Sequence, residues 1–320
     1  MTRAPTTRAP GYAVVLVVAG LACQEIGAAI AFLLFPEVGA LGMVLLRLAF
    51  SAVILLAIAR PSLRGHGRSG WLAVAAFGAV LAVMNGLFYL ALERLPLGIT
   101  VTIEVLGPLT LSIVVARARS AWLWAGLALL GVLALGGGGW DRLDPVGVLF
   151  ALGAAASWAF YILASAKVGR AFQKLDGLAL AMAFGALLAL PLGILSAGEA
   201  LLRPEILGLG AAVAVLSSTI PYALELIALR RLAAAAFAIL MSLSPATAAL
   251  AGLLILGQTL TWLEIVGMAF VIAASVGAVR AARRAGGAGR DAEQVQDAAA
   301  RDAAARDAGG EAPPLAGPLA

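Results

Sequence analysis

Long, uninterrupted apolar runs constrain this chain more than any other feature of its sequence. A run of roughly 17 to 25 apolar residues crosses a bilayer as an α-helix, since a helix satisfies its backbone hydrogen bonds within one segment. Hydrophobic residues make up 62% of the chain and charged residues 12%, which predicts an all-α polytopic membrane protein. Ten transmembrane helices are predicted, over residues 12–34, 39–59, 71–92, 97–115, 121–138, 146–166, 177–196, 206–229, 233–256 and 262–280.

Basic residues in the short loops predict the orientation of these helices, because cytoplasmic loops carry an excess of lysine and arginine. With the N-terminus inside, the inner segments hold 16 basic residues and the outer loops hold 3. Both termini are therefore expected in the cytoplasm. Orientation also explains the net charge of +5 without a nucleic-acid partner. The three outer residues are Arg94, Arg142 and Arg203.

The sequence repeats itself at a fixed offset. YLALERL at 89–95 and LIALRRL at 226–232 lie 137 residues apart, and the same offset relates Pro108 to Pro245. Ten spans then divide into two units of five, and an odd number of crossings makes the second unit inverted, as in many secondary transporters. The predicted organisation is a cytoplasmic N-terminus (1–11), a first five-helix repeat (12–138), a junction loop (139–145), a second repeat (146–280) and a disordered cytoplasmic tail (281–320).

Four ionisable residues fall inside the predicted helices: Glu25, Arg47, Glu104 and Glu225. A charge in the hydrocarbon core is costly, so each must face protein or a water-filled cavity, and each is a functional candidate. Arg47 either forms a fixed ion pair with an acid on a neighbouring helix or binds the carboxylate of a substrate, which suits the planar guanidinium. The three acids either tie helices together or take up protons during transport.

Three prolines inside the predicted helices mark breaks: Pro108, Pro221 and Pro245. Proline has no N–H, so it cannot donate to the carbonyl four residues earlier. Pro108 releases the carbonyl of Glu104, and we expect that carbonyl and the Glu104 side chain to face one cavity. Pro221 releases the carbonyl of Ser217 in the same way.

Several polar and aromatic residues share helix faces with these features. Asn85 and Tyr89 are four residues apart, and Trp158 and Tyr161 three, so each pair lies on one side of its helix. Tyr222 and Glu225 share a face with Pro221. These aromatic pairs indicate either a cavity wall or helix packing. A single cysteine and a single histidine give no pattern for a metal, and no cofactor motif is present.

The chain resembles the EamA-type carriers of the drug/metabolite transporter superfamily from about residue 12 to 280. The resemblance implies ten helices, a central cavity between inverted halves, the inner (cytoplasmic) membrane of a bacterium, and efflux of small metabolites by proton exchange. Ser244 and Gln258 stand where the family carries acids, and Glu25 is an added charge. The motifs that carry the resemblance are MNGLFY (84–89), PLGI (96–99), WAFYIL (158–163), IPYALELIALRRL (220–232) and MSLSPATAAL (241–250). The residues that match the family's pattern, and that the resemblance implies bind the substrate, are Gln24, Arg47, Asn85, Tyr89, Glu104, Trp158, Tyr161, Tyr222, Glu225 and Met241.

The expected function is proton-coupled export of small neutral amino acids such as threonine and homoserine. Glu104, Glu225 and Glu25 are the expected sites of proton coupling.

The alternatives within the class of transporters are a carrier for a drug, a purine or another amino acid, or an importer. An intramembrane enzyme is disfavoured because no nucleophile–base pair or metal-ligand set lies in the spans, and a channel or a structural membrane protein is a further alternative. The expected partners are a small-molecule substrate, protons and lipid; the oligomeric state is open.

Overall fold

The computed structural model describes residues 10–63, 65–116, 121–135, 143–173, 175–229 and 234–281. The predicted N-terminal segment, junction loop and C-terminal tail therefore lie largely outside the described residues. Some side chains within described helices also lie outside the description, among them that of Glu225.

The described residues form helices and connecting turns, with no strand among them. A short 3-10 turn (Gly198–Leu202) follows α8, and a π-helical segment (Val215–Thr219) joins α9 to α10. The helices in chain order are α1 (Pro10–Leu33), α2 (Phe35–Ala59), α3 (Arg68–Leu92), α4 (Leu97–Glu104), α5 (Leu106–Ala116), α6 (Ala121–Leu135), α7 (Pro145–Ala171), α8 (Asp176–Ala197), α9 (Pro204–Ala214), α10 (Ile220–Leu229), α11 (Ala234–Met241), α12 (Ser244–Leu256) and α13 (Trp262–Ala281).

Nine helical segments of the described chain are long and apolar enough to cross a membrane. They coincide with nine of the ten predicted spans, so the chain is a multi-pass membrane protein. The remaining predicted span, 121–138, is represented by the shorter apolar helix Trp122–Leu135, and its last predicted residues lie outside the description. Ten crossings and the inversion of the two units therefore stay predictions.

Helix breaks occur close to all three prolines. A turn at Val105 separates α4 from α5 and lies three residues before Pro108. A turn at residues 242–243 separates α11 from α12, just before Pro245. The π-helical segment lies directly before α10, whose second residue is Pro221. Spans predicted as single helices are thus interrupted where proline withdraws a backbone donor.

Small residues bring the helices close together, as is usual in membranes. Gly78 of α3 packs on α8, where a Cβ added at Gly78 would lie 2.5 Å from the Ala181 carbonyl oxygen and 3.0 Å from the Gly185 nitrogen. Gly131 of α6 meets Gly267 of α13 in a similar way, with an added Cβ 2.7 Å from the Gly267 oxygen. Close backbone approach in this fold therefore depends on glycine at the crossing points.

Asp144 connects the start of α7 to the end of α3. Its carboxylate accepts from the Val146 backbone N–H at 2.8 Å, which caps α7, and from Arg94 Nη1 at 2.8 Å. The Arg94 hydrogen bond, followed by the backbone N–H of the first turn, lowers the pKa of Asp144 below its ordinary value. The α3–α4 loop and the start of α7 are thus joined.

We expect Gly78→Ala to destabilise the protein, because the added methyl group must push α3 away from α8. Overpacking of this kind costs about 1–3 kcal/mol, so the temperature of thermal unfolding in detergent should fall. Gly208→Ala is the matched control, since nothing lies within 4 Å of a Cβ added there. Equal unfolding temperatures for the two variants would contradict the proposed close contact.

Candidate functional site

A polar cavity of about 100 Å³ lies among the helices of the described structure. Residues from both halves of the chain form its wall, which carries the guanidinium of Arg47 and the carboxylates of Glu25 and Glu104. Its lining residues are Gln24, Glu25 and Ala28 of α1, Arg47 of α2, Met84, Asn85 and Phe88 of α3, Glu104 of α4, Trp158 and Tyr161 of α7, Tyr222 of α10 and Met241 of α11.

The structure brings most of the predicted substrate-binding residues to this one cavity. Tyr89 is an exception, because it is fully buried and lies against Arg47 instead of at the cavity wall. Glu225 belongs to α10, but its side chain is not described. Binding of a cargo by these residues stays a prediction. The predicted residues that line the cavity are Gln24, Arg47, Asn85, Glu104, Trp158, Tyr161, Tyr222 and Met241.

Arg47 is held by oxygen atoms from two other parts of the chain. Its Nε donates to Ser218 Oγ at 3.2 Å and its Nη2 donates to the Ser217 carbonyl oxygen at 3.0 Å. Its Nη1 lies 3.4 Å from the Tyr89 hydroxyl oxygen, and its guanidinium carbon is 5.7 Å from the centre of the Tyr89 ring. The guanidinium therefore connects α2 with α3 and with the π-helical segment.

The ion pair that was one of the two alternatives for Arg47 is not formed with any described carboxylate. The two ion pairs among the described residues, Arg94–Asp144 and Arg203–Glu37, lie at helix ends. Hydroxyl and carbonyl oxygens satisfy the guanidinium instead, and they leave its positive charge without a bonded anion among the described groups.

The π-helical segment before Pro221 explains one of these contacts. The N–H of Ile220 bonds to the carbonyl of Val215, five residues earlier. Pro221 offers no N–H to the carbonyl of Ser217, and that carbonyl accepts from Arg47. The sequence correctly identified the acceptor that Pro221 releases, while its partner could be found only from the fold.

The two acids of the cavity have different surroundings. Glu25 is only 2% exposed and accepts a hydrogen bond from Ser244 Oγ at 3.1 Å, which joins α1 to the start of α12. Glu104 is the last residue of α4, at the break in the helix, and is partly exposed to the cavity. Both acids and Arg47 line the same cavity.

Glu104 and Pro108 do not share one cavity. The side chain of Glu104 lines the polar cavity, whereas Pro108 lines a neighbouring apolar cavity. A turn at Val105 lies between the two residues. That the Glu104 carbonyl released by Pro108 faces the polar cavity stays a prediction.

Two glycines allow the cavity helices to come together. A Cβ added at Gly27 would overlap Ser217 Oγ, so α1 touches the π-helical segment only because residue 27 lacks a side chain. A Cβ added at Gly107 would overlap the Ala155 carbonyl, which lies one turn from Trp158. Gly107 thus lets α5 approach α7 and places Glu104 across the cavity from the aromatic pair.

Sequence reasoning missed several residues of this site. Met84 and Phe88 line the cavity beside Asn85, and their spacing of one helical turn could have indicated this. Ser218 and Ser244 bind Arg47 and Glu25, but a serine in an apolar helix usually bonds to its own backbone. Those two contacts carry no signal in the sequence.

Comparisons with known proteins agree with this architecture. Residues 145–280 match the EamA-like transporter family. The threonine/homoserine exporter RhtA of Escherichia coli (strain K12) is 39% identical over 273 residues, which cover 85% of this chain and 92% of the relative. The exporter of the same name from Salmonella typhimurium (strain LT2) is 41% identical over 272 residues, with 84% and 92% covered. Among solved structures, a crystal structure 18% identical in sequence superposes with a TM-score of 0.57 and covers 86% of this chain and 98% of its own, a likeness in fold.

An all-helical, multi-pass membrane protein with a polar cavity between its helices has the form of a membrane carrier. The identity and coverage of the relatives then define the family: this chain belongs to the EamA-like transporter family. It is accordingly a transporter and not an enzyme.

We expect Arg47→Lys to lower the thermal stability of the purified protein. A lysine ammonium cannot reach Ser218, Ser217 and Tyr89 together, because it lacks the planar fork of the guanidinium. Loss of one hydrogen bond to a charged group should reduce the free energy of unfolding by about 2 kcal/mol. Arg203→Lys is the control, since Arg203 pairs with Glu37 at an exposed helix end. A melting temperature as high as that of the control would argue against the bridging role of Arg47.

Proposed function

We propose that this protein is a proton-coupled exporter of small neutral amino acids, with threonine and homoserine as the first cargo candidates. The observation that carries the proposal is the cavity, in which one arginine and two glutamates share a small polar space. The names of its relatives supply the cargo class and the direction of transport. The proposed location is the inner (cytoplasmic) membrane, with both termini in the cytoplasm.

The charges of the cavity suit a zwitterion. An amino acid brings an ammonium group, which needs an anionic partner, and a carboxylate, which needs a cationic or dipolar one. Glu104 and Glu25 offer the first, and Arg47 with the side chain of Asn85 offers the second. Arg47 has no described carboxylate bonded to it, so a substrate carboxylate would supply the missing counter-charge.

The size of the cavity favours a small cargo. Its volume of about 100 Å³ supports a small metabolite over a larger drug as cargo.

Two inverted five-helix units would give the alternating access that a carrier needs. The helix breaks support this proposal, because α4 ends at Glu104 and α11 ends at Met241, residues that the 137-residue offset relates. The family match over 145–280 covers nearly the same residues as the predicted second unit. Gly131 and Gly267, which meet at the α6–α13 contact, also lie at nearly this offset.

Helix packing also supports two equivalent units. If α1, α2, α3, α4 and α5 correspond to α7, α8, α9–α10, α11 and α12, exchanging the units relates several of the observed contacts, although the α4–α12 contact has no α11–α5 counterpart of similar extent. The contact of α3 with α7 becomes that of α10 with α1, and the contact of α3 with α8 becomes that of α9 with α2. The contacts of α4 and α5 with α7 become those of α11 and α12 with α1. All of these pairs occur.

Glu104 is the proposed main site of proton coupling, with Glu25 and Glu225 as further candidates. Glu104 lies at a helix break and faces the cavity, where its carboxylate could hold either a proton or the ammonium group of the cargo. Proton entry on the side of release would then displace the cargo. Glu25 is more restricted, because Ser244 already donates to it.

Counterflow in proteoliposomes tests the cargo. Vesicles loaded with unlabelled threonine or homoserine should accumulate labelled threonine, and the uptake should saturate. Parallel vesicles loaded with a purine or with other metabolites address the alternative cargoes. Folded protein that exchanges none of the amino acids would rule out the proposed cargo.

We expect Glu104→Gln to abolish proton-coupled export while the protein remains folded in the membrane. Glutamine keeps the size of the side chain but cannot exchange a proton. The readout is efflux of labelled threonine driven by an imposed pH gradient. Glu93→Gln is the control, because Glu93 is exposed at the end of α3. Gradient-driven efflux by the Glu104 variant at the rate of the control would exclude this residue as the coupling site.

A further inference from the structure

A second cavity of about 240 Å³ adjoins the polar cavity, and its wall is almost entirely apolar. Pro108, Leu109, Ile162, Phe237 and Val279 contribute side chains from α5, α7, α11 and α13. We call this space the apolar chamber. It has more than twice the volume of the polar cavity and lies beside the break that carries Glu104.

Three side chains are common to both spaces. Trp158, Tyr161 and Met241 line the polar cavity on one side and the apolar chamber on the other. These three residues therefore lie between the two spaces. Methionine has three rotatable bonds and adapts to irregular shapes, so Met241 is the part of the partition that moves most easily.

The apolar chamber also holds a hydroxyl group without a partner. Ser275 of α13 lines the chamber and is 5% exposed, and its Oγ has no hydrogen-bond partner among the described atoms. A buried, unpaired hydroxyl is costly, and such groups in native proteins usually bind a ligand or water. A ligand that fills the chamber would be mainly apolar, in keeping with the residues that line it.

We propose that the apolar chamber is a side-chain subsite, which extends the cargo of this carrier to larger neutral amino acids with mainly apolar side chains. This inference rests on the proposed amino-acid function of the polar cavity. The head group of such an amino acid binds in the polar cavity, as threonine does, and its side chain passes Met241 into the chamber. Leucine, methionine and phenylalanine represent the class.

Competition in threonine counterflow tests the subsite. Unlabelled leucine, methionine and phenylalanine should each inhibit the uptake of labelled threonine by the unmodified protein. Ser275→Leu fills the chamber. The concentration of leucine or phenylalanine that halves threonine uptake should then rise about tenfold, relative to the concentration of unlabelled threonine that does so. This is the change expected when a pocket loses room for one or more carbon groups. The relative measure uses threonine exchange as the internal reference for each variant.

Ala273→Leu is the matched control for this substitution. Ala273 lies on the same helix, two residues before Ser275, and is exposed on the outside of the bundle. The same change in size there should leave the competition profile unaltered. A shift of equal size in both variants would show that added bulk on α13 acts indirectly, and it would overturn the subsite.

Phe237→Ala provides a second variant that widens the chamber. It should strengthen the competition by phenylalanine relative to threonine. If Ser275→Leu no longer exchanges threonine, Phe237→Ala alone tests the subsite. Threonine exchange without competition by any of the three larger amino acids would overturn the subsite and leave the proposed function intact. Competition that neither variant alters would overturn it as well. Absence of threonine exchange in the unmodified protein would instead reject the proposed function, and the subsite with it.

Discussion

Burial of the Arg47 guanidinium among apolar helices is the constraint on which the cavity depends. A charge removed from water must be paired or fully hydrogen-bonded. The partners of Arg47 are hydroxyl and carbonyl oxygens of Ser218, Ser217 and Tyr89. One of them, the Ser217 carbonyl, is available because the residue four positions later is a proline. The helix break at Pro221 and the charge on α2 thus stabilise each other, although they lie in different halves of the chain.

Small residues make this arrangement possible. Gly27 admits the π-helical segment to the surface of α1, and Gly107 admits α7 to the surface of α5. Larger residues there would overlap Ser217 and Ala155 and would push α1 and α5 away from these neighbours. The packing of the backbone and the electrostatics of the cavity are therefore two aspects of one arrangement. The aromatic residues of α7 then limit the polar space, and the apolar chamber begins on their other side.

The sequence was informative wherever a residue was unusual for its surroundings. Glu25, Arg47 and Glu104 stand out because a charge inside an apolar span is costly, and all three line the cavity. The prediction for Tyr89 was less accurate. Its spacing from Asn85 placed both residues on one helix face, but Tyr89 lies against Arg47 and is fully buried. Helical spacing identifies a face of a helix, and it does not say whether that face meets a cavity or another side chain.

Long apolar runs and proline positions by themselves determined the helical class, the multi-pass membrane character and the approximate ends of the spans, because these depend on local interactions with lipid and water. The partners of Arg47 and Glu25 and the separation of Glu104 from Pro108 were decided only by the tertiary structure. The Arg47–Ser218 contact joins residues 171 positions apart, and the Glu25–Ser244 contact joins residues 219 positions apart. The physical reason is that a hydroxyl in a membrane helix can bond to its own backbone or to a neighbouring helix, and which of these occurs depends on where the close packing of the whole bundle places the two helices.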